Sequence, residues 1–174
     1  MGSYIIKFVN GNYRNKNAVD KVIRYIYKGA KKELALDERI YGAVGCGSVD
    51  KKKVIRAFKK VKSVYGKIEG CQLKHIVISF GFKPDVSVKK IRRAVKDILR
   101  FFTHSEMQEG NFQVAYGIHY SREENYHLHL CINSVSNRGK CLNINGFERR
   151  RFENYVNEIL DLKCSCTKGV SENN

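Results

Sequence analysis

From Tyr126 to Asn133 apolar and polar residues alternate without a break: Leu128, Leu130 and Ile132 fall on one side, His127, His129, Cys131 and Asn133 on the other. Such period-two alternation predicts a β-strand with one face in a core. The same pattern runs through "QLKHIVISFGF", where Ile76, Ile78 and Phe80 oppose His75, Val77 and Ser79. It recurs in "NFQVAYGIHY", with Val114, Tyr116 and Ile118 opposite Gln113, Ala115, Gly117 and His119. "SYIIKFVNG" reads as a first strand and "KCLNI" as a short late one, while "SREEN" is the turn of a hairpin joining the strands that end in His119 and begin at Tyr126.

Helical spacing takes over elsewhere. Val19, Val22, Ile23 and Ile26 share one face of a helix expected from about Lys16 to Tyr27, and Val54, Phe58 and Val61 do so between Lys51 and Tyr65. Past Pro84, Ser87 is the expected N-cap of a helix to Phe102, with Val88, Ile91, Val95, Ile98 and Phe102 inward. Asn145 followed three residues later by Glu148 resembles a capping box, opening a last helix to about Leu162. "KGAKKELALDERIYGAVGCGS" keeps no period and is expected to be a long, mobile connection. Helices interspersed with hairpin-linked strands predict an α+β fold, a mostly antiparallel sheet covered by helices. One domain is expected over 1–163, with a disordered tail at 164–174.

Charge narrows the function. The chain of 174 residues carries 33 Lys and Arg against 17 Asp and Glu, a net charge of +16, which points to a polyanionic partner and to nucleic acid first. No apolar run approaches a membrane span and no secretory signal precedes the first strand, so membrane insertion is not expected and a cytoplasmic location is. In that compartment the six cysteines are expected as free thiols, and "CSC" at Cys164–Cys166 lacks the usual zinc spacing. No phosphate-binding or dinucleotide fingerprint is present.

If the two strands of the hairpin pair, His119, His127 and His129 share one face. His127 and His129 then stand about 6.6 Å apart, at roughly 3.3 Å per residue. Three neutral imidazoles, with Gly117 and Ala115 leaving room beside them, suit a divalent ion with open coordination positions. One histidine on a strand is ordinarily a surface or core residue; three on one face of so basic a chain argue for metal.

The "HLH" at His127–His129 resembles the histidine–hydrophobic–histidine motif of the HUH endonucleases. Within them, "LKHIVISF" and "VAYGIHYSREENYHLHLCINSV" look like the second and third motifs of plasmid mobilization relaxases of the VirD2-like branch, the likeness running from about Val19 to Ile144. The resemblance implies an HUH-type sandwich and a relaxase that nicks and rejoins one strand at an origin of transfer through a 5′-phosphotyrosine. His119, His127 and His129 match the metal ligands, Ser79 the serine that contacts DNA near the scissile phosphate, and Tyr25 of "RYIYKG" the nucleophile. The ion implied is magnesium or manganese, with zinc, nickel or cobalt as substitutes in vitro. The implied partner is single-stranded DNA of an origin of transfer, with accessory DNA-binding and coupling proteins, the enzyme itself being a monomer.

Further DNA contacts are expected from Tyr27, Lys28, His75, Arg149, Arg150 and Arg151. The chain departs from many relatives at Ser121, two residues after the first histidine, where an acidic residue is usual; Glu123 or Glu124 is the alternative. Helical periodicity does not separate Tyr25 from Tyr27, which flank the apolar stripe on either side. A replication initiator or single-tyrosine transposase of the same chemistry, and a non-catalytic nucleic-acid-binding module, remain the competing classes.

Overall fold

The computed structural model describes residues 4–11, 13–32, 40–80, 88–104, 111–120 and 126–164. Among the described residues five strands form one sheet: β1 (Tyr4–Phe8), β2 (Tyr41–Val44), β3 (Leu73–Phe80), β4 (Val114–Tyr120) and β5 (Tyr126–Asn133). Their order across the sheet is β1-β3-β5-β4-β2, and each neighbouring pair is antiparallel. It is covered by the helices α1 (Ala18–Lys32), α2 (Lys51–Val64), α3 (Val88–Thr103) and α4 (Gly146–Cys164). The α+β sandwich expected from the sequence is the fold.

The alternation of the central strands divides the molecule into layers. On one face Ile76, Ile78, Leu128, Leu130 and Ile132 pack against Val95, Ile98 and Phe102 of α3 and Phe152 and Val156 of α4. On the other, Leu73, Ala115 and Cys131 meet Val19, Ile23 and Ile26 of α1 and Val54, Ile55 and Phe58 of α2. Because side chains alternate, the polar row of β3, β4 and β5 can only lie on the α1–α2 side. That parity fixes where the histidines stand.

Caps and turns account for the helix ends. The Asp50 side chain accepts from the Lys53 backbone N–H at 3.0 Å to open α2, and this bond holds its carboxyl below the usual range. Gly66, at φ 63°, supplies the left-handed residue just after the helix. The Asn145 side chain accepts from Glu148 N at 2.9 Å, as expected, but the Glu148 carboxylate turns to Arg151 at 3.3 Å rather than completing a reciprocal box.

Three expectations are corrected. The supposed long connection after Tyr27 holds five more residues of α1 and the edge strand β2, which pairs with β4 from Tyr41↔Gly117 to Val44↔Val114. A four-residue edge strand is too short to display a period of its own. "KCLNI" forms no strand: it contributes an isolated bridge between Val135 and Cys141. The last helix runs two residues beyond Leu162, to Cys164. Ser87, Ser121, Glu123, Glu124 and the tail beyond Cys164 lie outside the described residues.

Candidate active site

The register brings the expected residues into rows. Ser79 on β3 stands opposite His127 on β5, and His127 stands opposite His119 on β4, so the three cross the sheet in a line. In the next row Val77, His129 and Gly117 are partners; in the third, His75, Cys131 and Ala115. Gly117 and Ala115 put almost no side chain on this face. The His119 and His129 rings lie 4.2 Å apart between centroids, and His127 and His129 lie 6.5 Å apart. His119 and His129 are buried, His127 half-buried.

Two of the rings are held by the protein itself. His119 Nε2 lies 2.8 Å from the Ile26 carbonyl of α1. A carbonyl can only accept, so Nε2 carries the ring proton and a neutral His119 keeps its lone pair at Nδ1. His129 Nδ1 lies 3.2 Å from His75 Nε2, and His75 Nδ1 lies 3.1 Å from the Tyr13 hydroxyl. Burial, and then the neighbouring His119, lower the His129 pKa to about 3 and that of His75 to about 4. Both rings are therefore neutral at pH 7, the form in which imidazole binds metal.

The expectation of three imidazoles around one point needs qualification in geometry. The rings share a face, but among the described residues no three His, Cys, Asp or Glu side chains converge on a position for an ion. The bonds of His119 to Ile26 and of His129 to His75 each engage one ring nitrogen and leave the other. The donor set itself, three imidazoles with an alanine and a glycine beside them, is chemically suited to a divalent ion.

Helix α1 lies over the histidines. Tyr25 is 56% exposed, and its ring stands edge-on to His119 and His129, at 5.3 and 5.5 Å between centroids. Tyr27 is only 3% exposed; its ring packs on Tyr41 of β2 at 4.7 Å and its hydroxyl donates to the Gly42 carbonyl at 3.2 Å. Burial raises the Tyr27 pKa far above its ordinary value. The suggestion of Tyr27 as a DNA contact is thus corrected: its ring is spent on packing between α1 and β2. Gly29 allows the close approach of helix and strand, since a methyl group there would overlap the His119 imidazole.

The remaining expected contacts separate. Lys28 is exposed on α1, as are Lys21 and Arg24, which sequence reasoning passed over as ordinary helix-surface charges. Exposed Ile5 and Lys7 of β1 are the register partners of Ser79 and Val77, so they extend the histidine face to the sheet edge. His75 is buried behind His129 rather than open to solvent. Arg149, Arg150 and Arg151 begin α4, in the layer across the sheet from the histidines. There Arg149 covers the Phe8 ring at 5.1 Å, and Arg151 pairs with Glu148.

Among the described residues no helix is long and apolar enough to cross a membrane. No curated protein matches the chain. A solved structure described as "Molecular Basis of Vancomycin Resistance Transfer in Staphylococcus aureus" is similar over 93% of this chain and 93% of its own, with a TM-score of 0.50 and 16% identity, a likeness of fold. The family profile described as "Relaxase: MobA/VirD2-like, nuclease domain" matches residues 25–161, from the exposed tyrosine of α1 through the histidine strands into α4. The chain belongs to the MobA/VirD2-like family of relaxase nuclease domains.

Proposed function

We propose that this nuclease nicks one DNA strand, held single-stranded at an origin of transfer, by attack of the Tyr25 hydroxyl on the scissile phosphodiester. The bond from phosphorus to the tyrosine oxygen forms as the bond to the 3′-oxygen breaks. The phenolic proton is lost to solvent and the departing 3′-oxygen takes one up. The products are a 5′-phosphotyrosine and a free 3′-hydroxyl. Since one phosphodiester replaces another, the reverse reaction reseals the strand without a nucleotide cofactor. The observation that carries this reading is the exposed Tyr25 ring standing over His119 and His129.

His119, His127 and His129 would hold a divalent ion, magnesium or manganese. When bound, the ion supplies a Lewis acid that draws charge from the phosphate, which matters because a tyrosine hydroxyl is a weak nucleophile at neutral pH. Ser79, in line with His127, is suited to donate its hydroxyl proton to a phosphate oxygen and fix the strand in place. The cations Lys7, Arg24 and Lys28 on the same side supply sequence-independent attraction for the backbone.

A supercoiled plasmid carrying an origin of transfer, incubated with protein and manganese, tests the reading. Conversion to open circles by wild type, with loss of roughly a hundredfold or more in rate on His127→Ala, is the expected result. Equal nicking by His127→Ala and wild type would remove the histidine cluster from the chemistry.

A further inference from the structure

Behind the histidine cluster a line of groups leads away from His129, through His75 to Tyr13, and the last two have no assigned role in the chemistry. His75 lies on β3, one row beyond His129, and its Nε2 faces His129 Nδ1 at 3.2 Å. On its far side His75 Nδ1 faces the Tyr13 hydroxyl at 3.1 Å. The backbone holds this line in place. Gln72 N donates to the Tyr13 carbonyl at 2.7 Å, and Val9 N donates to the His75 carbonyl at 2.9 Å. The segment carrying Tyr13 is thereby tied to the start of β3, and its ring reaches His75 from the side away from His129.

A neutral imidazole has one N–H and one lone pair, so the direction of each bond in the line sets the next. In one direction Tyr13 donates to His75 Nδ1 and His75 Nε2–H donates to His129 Nδ1. The His129 proton then sits on Nε2, and that nitrogen cannot bind a metal. In the other direction His129 Nδ1–H donates to His75 Nε2, and His75 Nδ1–H donates to the Tyr13 oxygen. The His129 Nε2 lone pair, on the side of the ring away from His75, is then available. Both directions satisfy the same heavy-atom distances. A hydroxyl at the end of the line is a partner in both directions, because it can donate to His75 Nδ1 or accept from it; an apolar group there would leave that nitrogen without its bond.

We propose that His75 and Tyr13 are positioning residues that orient the His129 ring and hold its proton on Nδ1, leaving Nε2 to the metal. The proposal rests on the reading of His129 as a ligand. A histidine ligand whose second nitrogen donates to a fixed acceptor is held in one tautomer and one ring orientation, and loss of such an acceptor ordinarily costs about 10- to 100-fold in metal affinity. His75→Leu removes the acceptor facing His129. His75→Gln keeps an amide oxygen at that reach. Tyr13→Phe keeps the ring and removes only the oxygen at the end of the line.

The test is manganese titration of the whole protein by calorimetry, without DNA, on wild type, His129→Ala and these three variants. Circular dichroism checks folding, and the half-buried Tyr13→Phe serves if a change at buried His75 does not fold. His75→Leu is expected to bind about 10- to 100-fold more weakly. His75→Gln should recover much of the loss, and Tyr13→Phe should lose about tenfold. Nitrogen-15 spectra of the zinc-loaded wild type should show protons on Nδ1 of both His129 and His75. Wild-type affinity in Tyr13→Phe and in folded His75→Leu, while His129→Ala has lost the ion, overturns the positioning role and leaves the ligand reading standing. Wild-type affinity in His129→Ala overturns both. A His75 proton found on Nε2 in the loaded protein also overturns the assigned direction.

Discussion

Tyr25 and Tyr27 lie two residues apart on α1, about 200° around the helix at 3.6 residues per turn. That rotation separates an exposed ring over His119 and His129 from a buried one against Tyr41. From the apolar stripe of Val19, Val22, Ile23 and Ile26 alone the two positions were equivalent. What breaks the tie is Tyr41, on a strand the sequence did not disclose. The histidines were more legible, because period two assigns a face residue by residue and the pairing of β4 with β5 needs only a hairpin. The commitments of His119 to a helix carbonyl and of His129 to His75 were not legible, since they depend on how far α1 and β3 stand from these rings. Tyr27→Phe should remove the bond to the Gly42 carbonyl and cost about 1 kcal/mol of stability. Denaturant unfolding measures that loss, and strand cleavage by the variant should remain near the wild-type rate.

At the scale of elements, α1 determines the geometry of the site. It carries Tyr25 and the Ile26 carbonyl that holds His119, and it comes down onto β4 at Gly29. A glycine inside a helix costs about 1 kcal/mol relative to alanine, so its presence there is accounted for by the approach to His119. Gly29→Ala should improve the intrinsic helix propensity and still impair the protein, because the added methyl must displace either the helix or the imidazole. Nicking is expected to fall by about tenfold or more, the order that a displacement near 1 Å produces, and the melting temperature should not rise. A stabilised variant with wild-type activity would show that α1 has slack at this point. The periodic helices α2 and α3 were readable from their spacing, whereas the end of α1 was hidden in a basic stretch whose stripe had stopped. Strand β2 is held by its pairing with β4 and by packing of Tyr41, and neither leaves a pattern in four residues.

Over the whole molecule, the +16 charge was visible in the composition but its placement was not. Lys7, Arg24 and Lys28 share the α1 side of the sheet with the histidines, while Arg149, Arg150 and Arg151 begin a helix on the opposite side. On the proposed reading, in which the strand passes across Tyr25, the first set lies on the DNA side and the second does not. Affinity for single-stranded DNA should fall with salt, and each phosphate left without its neutralising cation should reduce the slope of log K against log salt by about 0.7. Replacing Lys7, Arg24 and Lys28 together with alanine should therefore lower the slope by about 2, as measured by fluorescence anisotropy across a salt series. The corresponding change of the three α4 arginines should leave the slope near wild type. The opposite pattern would route DNA over the α3–α4 layer.

The role of Tyr25 is tested most directly by the covalent adduct itself. An origin oligonucleotide labelled in the fragment 3′ to the nick is mixed with protein and manganese, and the label is followed on a denaturing gel. Wild type and Tyr27→Phe should both carry the label at a shifted protein band, and peptide sequencing of the wild-type band should place it on Tyr25. Tyr25→Phe should bind the oligonucleotide about as well as wild type and carry no label, because no other group replaces the attacking oxygen. A labelled band from Tyr25→Phe, or an adduct mapped to another residue in wild type, would contradict the assignment.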